Sequence, residues 1–400
     1  MELAGIICEC DPPHAGHAYL LGQAKESSDA VVCLLSGPFC QRGTAAVLDK
    51  HARAQMLLST GADLVLEHMF PFAAAGTEVF ADSGVAALSG IGATSLWFGS
   101  ECGDLQKLIR AAEITATESF RSAYADACKR SDRGTAAVYF DLLAKFCGQD
   151  APTDPNDILG IGYLKAIRAE KSGMIPHIVK RTGSAFDAVD LPASGAPSAT
   201  ALRRLLLDGE TERVLPYLPN DTCREILRRE LRAGRAPVSL SRAETAILGL
   251  LRLSDINTFC RCAELEGGLG ERILKAAREA TSYADLLSRV ATKKYPDARI
   301  RRGILFGLLG VTDADLSAPP AYLGLLGCSE TGRGVLASLR RRKTLPIVSA
   351  KSSVPKTPAA QAAWKVESRA ASLVSLCYPT PVSEADLLRR WFMDFKSDQE

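Results

Sequence analysis

The residues best placed to do chemistry stand near the start of the chain, at His14-Ala15-Gly16-His17. Two imidazoles separated by Ala15 and Gly16 can reach the same anion, and Gly16 removes a Cβ where a ligand would come close. The run Leu3 to Cys8 ahead of them is apolar and of strand length. Pro12 and Pro13 end it, because neither can donate to a ladder. Leu20, Leu21 and Ala24 follow at helical spacing. Strand, tight turn and helix in that order set a helix N-terminus at the carboxyl end of a strand, where free N–H groups hold a phosphate.

The surrounding elements alternate. Strands are expected at 30–35, 62–66, 93–98 and 175–179, with helices over 49–59 and 79–88 between them. The unbroken apolar character of 30–35 suits a parallel strand covered on both faces. Ser36-Gly37 and Gly99-Ser100-Glu101 fall at strand ends, where such sheets bind ligands. No GxGxxG follows the first strand, which argues against a hydride-transferring Rossmann enzyme. Residues 105–150 read as mainly helical with a break at 131–134. Asp154 to Gly160 leads into another helix. Residues 187–197 read as a mobile loop, and Ser198 can cap the helix that begins after it.

From Gly209 the composition changes to leucine-spaced helices around 223–233, 242–253, 271–290 and 299–310. Pro319 to Cys328 reads as a loop with short apolar runs, and 345–348 as a strand. The tail from Glu384 reads as a last helix.

Four hundred residues allow two or three domains. Lysine and arginine number 48 against 46 acidic residues, a net charge of +2 that neither demands nor excludes RNA. Lys293, Lys294, Arg299, Arg301 and Arg302 crowd one short region and suit phosphate-backbone contact. Twelve cysteines are scattered with no CxxC pair, so no metal ligand is assigned and reduced, mostly buried thiols are expected. No signal peptide and no membrane-spanning run are read, so a cytoplasmic protein is expected.

The HxGH after a first strand is shared by HUP-class nucleotidylyltransferases. Further segments make the resemblance more specific: Gly5 to His17, Ser36 to Gly43 with Gln41-Arg42-Gly43, Asp49-Lys50, Gly61 to Glu67, and Phe98 to Glu101. Over nearly its whole length the chain resembles the bacterial tRNA(Met) cytidine acetate ligase family. The resemblance implies an α/β fold: a parallel-sheet HUP/Rossmann-like nucleotidylyltransferase domain over 1–210, with a helical insertion at 105–150. A mainly helical, partly basic domain over 211–400 is then expected to bind tRNA.

The implied reaction makes acetyl-adenylate from acetate and ATP and acetylates N4 of the wobble cytidine of elongator tRNA(Met), with Mg2+ on the phosphates. The implied ATP-site residues are Ile7, Cys8, Glu9, Asp11, His14, Gly16, His17, Gly99, Asn156 and Arg181. Ser198, Thr200 and Arg203 resemble the triphosphate motif of these enzymes, and Lys50 and Arg53 match positions near the phosphate end. His14, His17, Lys50 and Arg203 are the expected catalytic groups, and Asp11 and Glu101 are candidates for metal-linked positions. The oligomeric state is not read. Three departures stand out: Asp11 and Pro38 where the family favours Asn, and His68-Met69 where it favours Leu-Pro. They leave two alternatives open, a related nucleotidylyltransferase with another small acceptor and a non-catalytic RNA-binding paralogue.

Overall fold

The apolar runs form one sheet. The computed structural model describes residues 1–148, 151–181, 197–340 and 345–390. Five strands are parallel: β1 (Leu3–Cys8), β2 (Ala30–Ser36), β3 (Leu64–His68), β4 (Ser95–Ser100) and β5 (Ile175–Lys180). The order is β5-β4-β1-β2-β3, continued by β6 (Leu323–Cys328) and β7 (Ile347–Val348). β1 and β2 are buried along their whole length because helices cover both faces. Successive strands run outward from β1 in one direction and return on its other side as β4, so the strand order reverses between β1 and β4. A crevice opens at the carboxyl ends there.

Helices α1 (Ala15–Glu26) and α2 (Lys50–Thr60) cover one face, packing Leu21, Ala24, Ala54 and Leu57 against Ile6, Cys8 and Cys33. The other face carries α3 (Thr77–Gly90), α4 (Leu105–Thr115) and α7 (Pro155–Ala169). The expected helical insertion contains α4, α5 (Glu118–Arg130) and α6 (Thr135–Cys147). Ser198 caps α8 (Ala199–Leu207), its Oγ accepting from the Ala201 amide at 3.0 Å.

Two expectations for the C-terminal half are corrected. The stretch read as a loop at 319–328 contains β6, antiparallel to β3 with Leu64 opposite Cys328 and Glu67 opposite Gly324. Its glycines and short apolar runs lack the alternation that marks a strand in isolation, and the open edge of β3 supplies the ladder. The helix read over 271–290 is two, Leu269–Glu279 and Tyr283–Val290, with Ser282 capping the second. The 345–348 strand appears as β7, paired to β6. Phe39 and Phe70 enter the same core as Ile247, Ile300, Phe306 and Ala370, so the C-terminal helices pack directly on loops of the sheet. The segment 187–196 lies outside the described residues, as do Arg341, Arg342 and Lys343 of a basic run that begins at Arg340. Among the described residues no helix is long and apolar enough to cross a membrane.

Candidate active site

A cavity of about 730 Å3 opens over the β1/β4 crevice. His14 is the N-cap of α1, and its Nδ1 accepts from the Gly16 amide at 3.1 Å. The His14 amide in turn donates to His17 Nδ1 at 3.2 Å. The two rings lie 4.0 Å apart between centroids. Burial, reinforced by the positive charges of Arg181 and Arg203, holds His14 down at about 4. Burial, then His14 and Arg181, push His17 well below the usual imidazole range. Both rings are therefore neutral near pH 7. A neutral ring that accepts at Nδ1 carries its proton on Nε2, so each histidine keeps one N–H donor. Gly16 serves this arrangement directly: a Cβ there would sit 3.0 Å from the His14 ring.

Arg203 reaches the cavity from α8. Its Nη1 donates to the Asp11 carbonyl at 3.0 Å and its Nη2 to Thr200 Oγ1 at 3.0 Å. Arg42 Nη1 donates to the same Thr200 oxygen at 3.3 Å. Glu9 lines the cavity and accepts from the Gln41 amide at 2.8 Å, and burial pushes its carboxyl up. Asp11 lines the same wall, but its carboxylate turns to the 40–47 loop, where Oδ1 accepts from the Val47 amide at 2.8 Å. Burial pushes the Asp11 carboxyl up, against the pull of Arg203 and Arg53.

The opposite wall holds Gly99, Asn156 and Arg181. A Cβ on Gly99 would press on the Arg181 side chain at 3.3 Å. Asn156 Nδ2 donates to Glu101 Oε1 at 2.5 Å, and Arg181 Nε lies 3.4 Å from the same oxygen. Asp157, which sequence reasoning did not single out, is fully buried and accepts from Ser100 Oγ at 2.5 Å and from the Glu101 and Cys102 amides. It fixes the turn after β4 and hence Glu101.

An apolar side was also missed: Phe80, Phe140, Leu159 and Tyr163 line the cavity together with Phe98. The signal was in α7, where Pro155, Leu159 and Tyr163 stand four apart and share one face.

The cavity thus gathers Ile7, Cys8, Glu9, Asp11, His14, Gly16, His17, Gly99, Asn156, Arg181, Thr200 and Arg203. Four expected site residues, three for the phosphates and Glu101 for a metal-linked position, lie elsewhere or face elsewhere. Lys50, at the start of α2, is buried and pairs with Glu67 of β3 at 2.6 Å. Arg53 is fully buried and donates to the carbonyls of Leu48, Glu9 and Gly37, which makes it a brace for three loop segments. Ser198 spends its hydroxyl on the helix cap. Glu101 stands behind Asn156 and Arg181.

The basic cluster divides. Lys293 and Lys294 are exposed. Arg299 pairs with Glu266. Arg301 donates to the Arg42 carbonyl at 3.0 Å. Arg302 holds both oxygens of Glu264, at 2.8 and 2.9 Å, and reaches the Gln41 carbonyl at 3.4 Å. Gly43, at φ +69°, approaches this helix so closely that a Cβ would lie 2.6 Å from the Arg302 nitrogen. Arg301 and Arg302 therefore fasten the helix Asp297–Leu309 to the loop that lines the cavity.

Residues 1–388 match the HIGH Nucleotidyl Transferase family. The chain is 33% identical to the tRNA(Met) cytidine acetate ligase of Acetivibrio thermocellus, covering 95% of this chain and 96% of that protein. It is 35% identical to the protein of that name from Caldanaerobacter subterraneus subsp. tengcongensis, over 87% of this chain and 88% of the other. Among solved structures it is similar to apo Thermotoga maritima TmcAL, with a TM-score of 0.89 and 30% identity over 97% of this chain and 98% of that one. The same protein bound with alpha-thio ATP gives a TM-score of 0.87 at 30% identity, over 97% of this chain and 98% of that one.

Proposed function

Because the chain belongs to the HIGH nucleotidyl transferase family and, within it, to the tRNA(Met) cytidine acetate ligases, we propose that it activates acetate with ATP and acetylates a cytidine of tRNA(Met). An acetate oxygen attacks the α-phosphorus and pyrophosphate leaves. The N4 amine of the wobble cytidine of the elongator tRNA then attacks the acetyl carbon, releasing AMP and a proton.

The observation that carries this reading is the histidine pair. Its two Nδ1 atoms are committed to backbone amides, which leaves two neutral Nε2–H donors at a helix N-terminus. Such donors cost no reorganisation as charge grows on the phosphate oxygens. Arg203 and Arg181 bring fixed positive charge from the two walls, and an arginine fork suits phosphate oxygens. Thr200 orients Arg203.

Among the described residues no three His, Cys, Asp or Glu side chains converge as a metal site. One oxygen of each nearby carboxylate is engaged, Asp11 Oδ1 by the Val47 amide, Glu9 Oε1 by the Gln41 amide and Glu101 Oε1 by Asn156, while Glu101 Oε2 is buried without a hydrogen-bond partner. These residues do not form a cage for magnesium, so any such ion is carried by the triphosphate, and no step here depends on a protein-bound one.

The Asp11 departure gives no support to a different acceptor, because its carboxylate faces Val47 rather than the ligand space. The test is mass spectrometry of cytidine in unmodified elongator tRNA(Met) after incubation with protein, ATP, magnesium and acetate, beside His17→Ala. An acetyl group that appears with the wild type and is lost in the variant is expected. Folded, ATP-binding protein that leaves the cytidine unmodified would overturn the reading.

A further inference from the structure

We infer that Phe140 is the stacking platform for the acceptor cytidine, with Lys293 and Lys294 holding the adjoining phosphates; the inference rests on the tRNA reading above. Among the described residues the large exposed hydrophobics include two aromatics, Tyr19 at 57% and Phe140 at 36%, and both line the cavity. Tyr19 stands on α1 with the histidines. Phe140 comes from the helical insertion. Its neighbours on α6, Tyr139 and Phe146, pack edge-on against Phe120 at 5.5 and 5.2 Å. Those contacts form the core of the insertion, and Phe140, a fraction of a turn away, presents its ring to the cavity.

The same helix is tied to the two exposed lysines. Gly134, the N-cap of α6, donates its N–H to the Lys293 carbonyl at 2.9 Å. A Cβ at Gly134 would lie 3.4 Å from the Lys294 carbonyl oxygen. Neither lysine has a carboxylate within ion-pair distance among the described residues, and Lys294 Nζ sits 5.4 Å from the Tyr295 ring centre. Phe140 is six residues beyond Gly134, about 9 Å along the helix. One rigid unit therefore offers cations for a backbone outside and an aromatic face within.

That pairing matches RNA chemistry. Phosphate contacts position a strand, and an unpaired base leaves its stack and lies on an aromatic side chain. ATP needs neither exposed lysine, since Arg203 and Arg181 already supply the cavity with charge.

The probe is an anticodon stem-loop of tRNA(Met) with either cytidine or an abasic sugar at the acceptor position. Dissociation constants are measured for the wild type, F140A, F140W and K293A/K294A, and ATP binding is measured separately. Wild type is expected to lose on the order of 10- to 100-fold in affinity on removal of the base. F140A should bind both loops at the abasic level, and F140W should restore the difference. K293A/K294A should weaken both loops equally and flatten the salt dependence. F140A that still discriminates between the loops, or that loses ATP affinity instead, overturns the inference. A wild type that binds neither loop removes it together with the tRNA reading. Loop discrimination without acetyl transfer would leave the platform standing and remove only the ligase reading.

Discussion

The Lys50 ammonium meets the Glu67 carboxylate at 2.6 Å with both side chains buried, so a lysine expected at the phosphates instead neutralises the end of β3. Burial pushes the Glu67 carboxyl up, and Lys50 works against that shift. Removing one partner leaves the other unpaired in a low-dielectric site. K50M should therefore lower stability by about 3–5 kcal/mol, and K50M/E67L should recover most of it. Urea unfolding of the three proteins measures this. K50M that unfolds like wild type yet fails to form AMP would instead give Lys50 a chemical role.

The histidine pair sets a pH dependence. The His14 value of about 4 lies below the ordinary 6.5, so the unfolded chain binds the proton more tightly. His68, held at about 3 by burial alone, has the same sign. Their contribution to stability is complete above about pH 7, starts to fall as pH drops below 6.5, and is lost as pH falls through the folded-state values. Each histidine accounts for roughly 3 kcal/mol by pH 4. Acetate-dependent AMP formation should accordingly have no limb near pH 6.5. A limb at 6 to 7 that disappears in His14→Gln would contradict neutral imidazoles.

Arg203 joins Asp11, Thr200 and the cavity through one guanidinium. R203K keeps the charge but loses the fork. We expect KM for ATP to rise and kcat to fall, together roughly 10- to 100-fold in kcat/KM, equivalent to about 1.5–3 kcal/mol for hydrogen bonds to a charged group. T200V should give a smaller loss of the same kind. Steady-state kinetics checks both, and wild-type values for R203K would remove the arginine from the site.

Arg302 acts through the 41–43 loop. R302Q breaks the two-oxygen grip on Glu264 and loosens the Gln41 carbonyl, so KM for ATP should rise several-fold with little change in tRNA affinity. The opposite split, with tRNA affinity lost and KM for ATP kept, would return Arg302 to the RNA surface.

Local patterns in the sequence determined what local chemistry can determine. Apolar continuity marked β1 and β2, the HAGH turn marked the start of α1, and Ser198 was legible as a cap because capping needs only the next turn of its own helix. The tertiary structure decided every feature that depends on a distant partner. Lys50 and Arg53 read as phosphate ligands because their charge was visible and their burial was not. Arg301 and Arg302 read as an RNA surface because Glu264 and the 41–43 loop approach them only through space. β6 had no strand signal until β3 offered its edge. The apolar wall of the cavity lay scattered over α3, β4, α6 and α7, and packing alone brings those faces together.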